Sequence, residues 1–188
     1  MRERNKLAVR EAIGEAALRL ALDQGPDGLV LVRVADIASA AGVAPRTYNN
    51  YFSSLPEAIC SFQADRARLV GDALRARPSS EPLPRAITAA VVEVFAEPEP
   101  DRAGLALILR TPALAGEALK AFALAEEPLT EAIAERCDGK LRAQVLAAGV
   151  AAAVRVAGRH WLDTTDPPPF AEVLRAALAH LLPGEDLR

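Results

Sequence analysis

Apolar residues recur along this chain at helical rather than alternating spacing. Leu7, Ile13, Ala17, Leu20 and Ala21 share one face of a 3.6-residue period, and the segment stops at Gln24-Gly25-Pro26. Near the other end, Phe170, Val173, Leu174, Ala177, Leu178 and Leu181 form an i, i+3, i+4 stripe. Between these limits proline supplies the punctuation, because in a helix interior it removes a hydrogen bond and clashes with the preceding turn. The pattern predicts further helices over about 34–41, 45–51, 56–76, 84–97, 101–110, 112–126, 129–137, 140–162 and 168–182. Ile59, Phe62, Leu69 and Leu74 are the expected apolar contacts of the 56–76 helix. Pro128 is expected to break or kink the chain between the 112–126 and 129–137 helices, and residues 77–84 read as a linker.

Composition agrees. Alanine occurs 40 times and leucine 25 times in 188 residues, while aromatic residues make up only 4%. Ala and Leu are strong helix formers, so an all-α chain with a buried core is expected, and disorder is excluded. The net charge of −3 excludes a histone-like polycation, but charge is unevenly shared. Arg2, Arg4, Lys6 and Arg10 against Glu3 give the first ten residues +3. Such a basic arm suits a phosphate backbone, although charge by itself favours a solvated, frayed terminus. Cys60 and Cys137 stand 77 positions apart with no metal-binding spacing, as free thiols in a reducing cytoplasm would. The start of the chain lacks a signal-peptide pattern. The longest uncharged run late in the chain covers the twelve residues 143–154, against about 18 needed for a membrane span. A soluble, cytoplasmic protein is the expectation.

The segment from Val34 to Phe52 carries the chemistry. Two short helices joined by a glycine turn cross steeply only where their contact residues are small. Ala38 permits close approach, Gly42 turns the chain, and Ile37, Val43, Tyr48 and Phe52 can close a miniature core. That is the prescription for a helix-turn-helix, whose second helix enters the major groove of DNA. Its outward face would present Pro45, Arg46, Asn49 and Asn50. Arginine suits guanine O6/N7 and asparagine suits adenine N6/N7. Thr47 and Tyr51 carry hydroxyls suited to phosphate oxygens, which fix position without reading sequence.

Over residues 8–60 the chain resembles the TetR family of transcriptional regulators, with Ile37, Ala38, Ala41, Gly42, Val43, Thr47, Tyr51, Phe52 and Ser54 matching its signature in register. It departs at Arg33 and Ala44, where the family prefers a hydroxyl helix cap, at Asn49, usually an aromatic, and at Leu55, usually a lysine. The run from Arg46 to Phe52, with an Ala-rich late helix ending in Arg159-His160-Trp161, is similar to the mycofactocin-regulator-like subgroup. The resemblance implies a three-helix DNA-binding domain over 1–55 and a helical ligand-binding and dimerisation domain over 56–188. It further implies double-stranded operator DNA and a small-molecule effector as partners, and a homodimer paired through the last two helices. The small side chains of residues 146–154 would suit such a seam, or equally close packing within one subunit.

Phe62, Phe95, Leu105, Leu109, Phe122 and Trp161 are the large apolar groups available to line an effector pocket, which favours an apolar or amphipathic molecule. Arg110 or Arg155 are candidate anchors for an anionic end. Nothing in the chain points to catalysis, a cofactor or a metal. His160 and His180 are the only histidines and lack the partners of a ligand set or a general base, and no phosphate-binding loop or nucleophile elbow is present. The expected function is a ligand-responsive repressor. The alternative is a helical ligand-binding or interaction module with weakened DNA affinity.

Overall fold

The computed structural model describes the backbone of residues 2–25 and 28–182, and within it the side chains of all but 2–5, 62–65, 67, 124 and 125. Among the described residues there are ten helices and no strand. They are α1 (Arg2–Asp23), α2 (Gly28–Leu31), α3 (Val34–Ala40), α4 (Pro45–Tyr51), α5 (Leu55–Ala76), α6 (Leu83–Ala96), α7 (Arg102–Arg110), α8 (Pro112–Ala134), α9 (Lys140–Asp163) and α10 (Phe170–Leu181). The all-α expectation holds.

The helices form two compact units, one comprising Met1–Gln63 with Ala103–Ala121, the other Ala64–Arg102 with Phe122–Arg188. The division falls inside α5 and α8, and burial explains why. Ala58, Ile59 and Cys60 at the start of α5 join Ile13, Ile37, Tyr48 and Phe52 in one apolar cluster, together with Ile108, Leu114 and Ala118. Cys60 is sealed there: its thiol donates to the Leu114 carbonyl at 3.4 Å, and burial pushes its pKa up to about 12, so it is inert. The short helix α2 is absent from the sequence reading. It is made by contact rather than propensity, since a Cβ on Gly28 would stand 2.1 Å from the Ala21 carbonyl oxygen.

The second unit is built from longer helices. α6 buries Ile87, Val91 and Phe95, α9 buries Val150, Val154 and Trp161, and α10 buries Phe170, Leu174 and Leu178. Three expectations need correction. Pro128 does not end a helix, because α8 runs through it, with Leu129, Ala132 and Ile133 buried immediately beyond. Gly71 of α5 faces that point, where a Cβ would lie 3.3 Å from the Pro128 carbonyl oxygen. Leu69 is 51% exposed and Val70 takes the inward position, one residue out of phase with the expectation. Residues 77–84 are not a free linker. Arg136 donates to the carbonyls of Pro78 and Glu81 at 2.8 Å and of Leu74 at 3.3 Å, while Arg77 pairs with Glu81.

The 24 residues of α9 are long and apolar enough, by length and composition, to cross a membrane, which the twelve-residue uncharged run does not reveal. Its apolar character has a local reason: eight of its residues, from Ala143 to Leu162, are buried within the unit.

Candidate nucleic-acid interface and apolar cavity

The turn between α3 and α4 is set by Gly42, whose φ of 68° lies in the left-handed region that glycine enters without strain. The amide of Val43 then donates back to the Ala38 carbonyl at 2.9 Å, so the chain doubles over tightly. α4 opens on Pro45 behind Ala44, which offers no side-chain oxygen to the first-turn amides. Its inner side is aromatic: Tyr48 and Phe52 are buried with ring centroids 5.9 Å apart. Pro45, Arg46, Asn49 and Asn50 are left exposed, and Thr47 and Tyr51 are half-buried at the margin. All six residues anticipated for DNA contact therefore share one short helix, with four of them exposed.

The residues that lead from α4 into α5 are tied by local hydrogen bonds. Ser54 accepts the Glu57 amide at 3.2 Å, and the Glu57 carboxylate takes the Ser53 amide at 2.7 Å and the Ser53 hydroxyl at 2.6 Å. Ser54 caps the Glu57 amide as in a capping box, a pattern legible in Ser54-Leu55-Pro56-Glu57, while the return contact goes to Ser53. Burial tends to raise the Glu57 pKa. The Ser53 hydrogen bonds, the charge of Arg10 and the Ser54 contact outweigh it and hold the carboxyl below its ordinary range. Arg10 itself lies over the Phe52 ring, 5.3 Å from the centroid. Counted in sequence as part of a basic arm, it acts here as a brace between α1 and the end of α4. The side chains of Arg2 and Arg4 lie outside the described residues. Leu55, at the family's lysine position, is half-buried against the apolar cluster. The Tyr48 hydroxyl is buried without a hydrogen-bond partner, and its pKa is raised by burial and by the Glu57 charge.

The six residues anticipated for an effector pocket do not all converge. Phe95 and Phe122 share a cavity of about 20 Å³ in the second unit, walled also by Val70, Leu129, Val150 and Glu126. Trp161 belongs to a separate cluster: its indole N–H donates to the Pro168 carbonyl at 3.0 Å, with Phe170 at 5.4 Å and Arg102 at 5.2 Å from its ring. Leu105 and Leu109 are half-buried on α7, in the first unit. The side chain of Phe62 lies outside the described residues. Arg110 and Arg155, the candidate anchors, are absent from the described cavity wall. A wider concavity of about 500 Å³ lies along α9 and α10, with Val156, Val173 and Ala177 on its floor and both histidines on its wall. The stripe on α10 is thus shared: Phe170, Leu174 and Leu178 turn inward, while Val173 and Ala177 face this concavity. Gly149 serves its own unit, since a Cβ there would come within 2.6 Å of Leu181.

Residues 81–186, more than half of the chain, match the sequence profile of the MftR C-terminal domain. No curated protein matches the chain by sequence. Among solved structures, the fatty acid degradation regulator FadR from Bacillus halodurans aligns at a TM-score of 0.59 with 17% identity, over 96% of this chain and 97% of that one. A tetR-family transcriptional regulator from Streptomyces coelicolor aligns at 0.51 with 18% identity, over 92% and 78%. At these identities the likeness is one of fold.

Proposed function

The chain belongs to the TetR family of transcriptional regulators, proteins that bind operator DNA and small-molecule effectors and form dimers, and from that premise we propose that it is a one-component repressor released from palindromic DNA by an apolar or amphipathic effector. The observation that carries this reading is the solvent-facing row Pro45, Arg46, Asn49 and Asn50 on a helix whose opposite side is buried aromatic. Arg46 and one or both asparagines read base edges, and Thr47 and Tyr51 hold phosphates. Residues 1–55 carry this task and residues 56–188 carry effector binding and dimerisation.

The two-fold pairing uses α9 and α10, where Val156 (54% exposed), Val173 and Ala177 would be covered by a second copy. Symmetric dimers of helix-turn-helix proteins read half-sites about 34–36 Å apart, or multiples of that. Effector binding acts by favouring one dimer form over another, which requires different affinity for the two. Because α5 contributes Ile59 to one unit and Val70 to the other, displacement at the cavity reaches the recognition helix along a single helix.

A gel-shift assay with the DNA upstream of the protein's own coding sequence tests the reading, with a retarded band that disappears on effector addition as the expected result. Light scattering should return a dimer; a species of 19.9 kDa at micromolar concentration overturns the symmetric reading. Absence of binding to any DNA at low salt would favour the alternative of an interaction module, to which Leu55 in place of lysine lends support.

A further inference from the structure

The chain has two histidines in 188 residues, His160 on α9 and His180 on α10, and both stand on the wall of the same concavity of about 500 Å³. Both are exposed, and neither imidazole has a hydrogen-bond or ion-pair partner among the described residues. Leu181 packs at Gly149, which sets His180 near the middle of α9, and His160 stands about 16 Å further along that helix by helical rise. The wall they share is otherwise apolar, formed by Val156, Val173, Ala176 and Ala177, with Glu172 its one other charged residue among those described. Few further charges face the pair. Arg159 and Asp163 flank His160 on α9, residues 143–154 beside His180 carry none, and Arg175 of α10 lines a separate groove against α6. Glu185 and Asp186 lie outside the described residues.

We propose that His160 and His180 make dimerisation sensitive to pH, a second copy of this chain covering them tightly while both imidazoles are neutral. The inference rests on the two-fold pairing of α9 and α10 proposed above. The apolar face that the second copy covers runs on from the concavity along α9 through Val145 and Leu141, 58% and 75% exposed. Imidazole changes charge between about pH 5 and 8. In separate subunits both histidines are hydrated and take up a proton at little cost. Covered by an apolar surface they lose that water, and burial disfavours the charged form. The dimer therefore binds fewer protons than two separate subunits do. Its stability is complete in the alkaline part of that window and is lost as the pH falls through it. Two histidines from each of two subunits put four on the seam. Glu172 acts in the opposite direction, because a carboxylate beside a covered imidazole favours its charged form. Within its own subunit it is about 12 Å along α10 from His180, so there it offsets burial at His160 alone. The functional consequence is a repressor that leaves palindromic DNA in acid without any effector.

Sedimentation equilibrium of the full-length protein at fixed ionic strength tests this, with circular dichroism confirming that the helices persist at each pH. The dimer Kd should be at least about tenfold higher near pH 5.5 than near pH 7.5, the scale of one covered imidazole shifted by about one pH unit. His160→Gln and His180→Gln should each flatten that dependence, and the double variant should dimerise with equal affinity at both pH values. Glu172→Gln should steepen it, an arm that stands even where a histidine variant fails to fold. An equal Kd at both pH values in the wild type overturns the assignment, as does a dependence that survives in the double variant. So does tighter pairing in acid, the sign that a carboxylate such as Glu172 holds the charged imidazoles across the seam. A dimer that forms with added zinc and is lost on adding EDTA gives the histidines to a metal and overturns it too. In all four cases the two-fold pairing itself stands. A monomer at every pH overturns the pairing and the histidine assignment together.

Discussion

Helices α4 and α9 reach stability by different routes. α4 has seven residues, of which only Tyr48 is buried, and leans on Phe52 just beyond its end. Isolated helices shorter than about 12–15 residues are marginal in water, so α4 exists because the surrounding unit holds it. α9 has 24 residues and spreads its burial over eight of them. The contrast separates two uses of a helix. A short helix fixed by two aromatic anchors leaves the rest of its surface free for polar groups that read a ligand. A long helix with distributed burial supplies scaffold, and no single contact decides its presence.

The harshest test of that contrast is Phe52→Ala. It removes an aromatic anchor and the surface on which Arg10 rests, and should cost about 3–5 kcal/mol of stability by urea denaturation together with all DNA binding. Retention of the recognition helix in this variant would mean that α4 is stable on its own account. Next come the exposed residues. Arg46→Ala and Asn50→Ala should each weaken operator binding by about 1–3 kcal/mol and relax specificity at particular bases. Their melting temperatures should stay at the wild-type value, and a parallel loss of stability would return these side chains to a structural role.

Glycine substitution compares the two helices directly. Gly42→Ala forces an alanine to a φ of 68° and should cost about 1–2 kcal/mol. Gly149→Ala meets only the flexible end of Leu181, which can swing aside, so the gain in helix propensity should offset much of the repacking. Equal losses at the two sites would break the distinction. The smallest effect lies in the pH dependence. Because the Glu57 carboxyl is held below its ordinary value of 4.5, its contribution is present above that pH and is lost as the pH falls through the folded-state value. Acid denaturation of Glu57→Gln should show a shallower slope in that window, measured against the wild type.

The helix-turn-helix was legible because its determinants are local. Ile37, Ala38, Gly42, Tyr48 and Phe52 lie within sixteen consecutive residues, and a small residue, a turn glycine and two anchors at that spacing have few other uses. α4 begins and ends where the sequence placed it, at Pro45 and Tyr51. The cavity was less legible, since large apolar side chains announce burial without saying which neighbours they meet. Phe95 and Phe122 meet at one cavity, but Trp161 is drawn to Phe170 and the Pro168 carbonyl instead. A cation in sequence reads as solvent-facing, and at Arg10 and Arg66 only an aromatic ring from a distant helix makes it otherwise.

Helical class, the position of α4 and its outward polar row follow from the chain itself, because helix period, proline and a turn glycine act over a few residues at a time. Tertiary structure alone decided the rest. Packing carried α8 across Pro128, where the local cost of proline predicts a break, by burying Leu129, Ala132 and Ile133 immediately after it. Packing likewise turned Val70 inward in place of Leu69, tied residues 77–84 to Arg136, and laid Arg66 on Phe95. Each outcome depends on groups brought together from many residues away, and burial between such groups is a property of the fold that no stretch of sequence carries by itself.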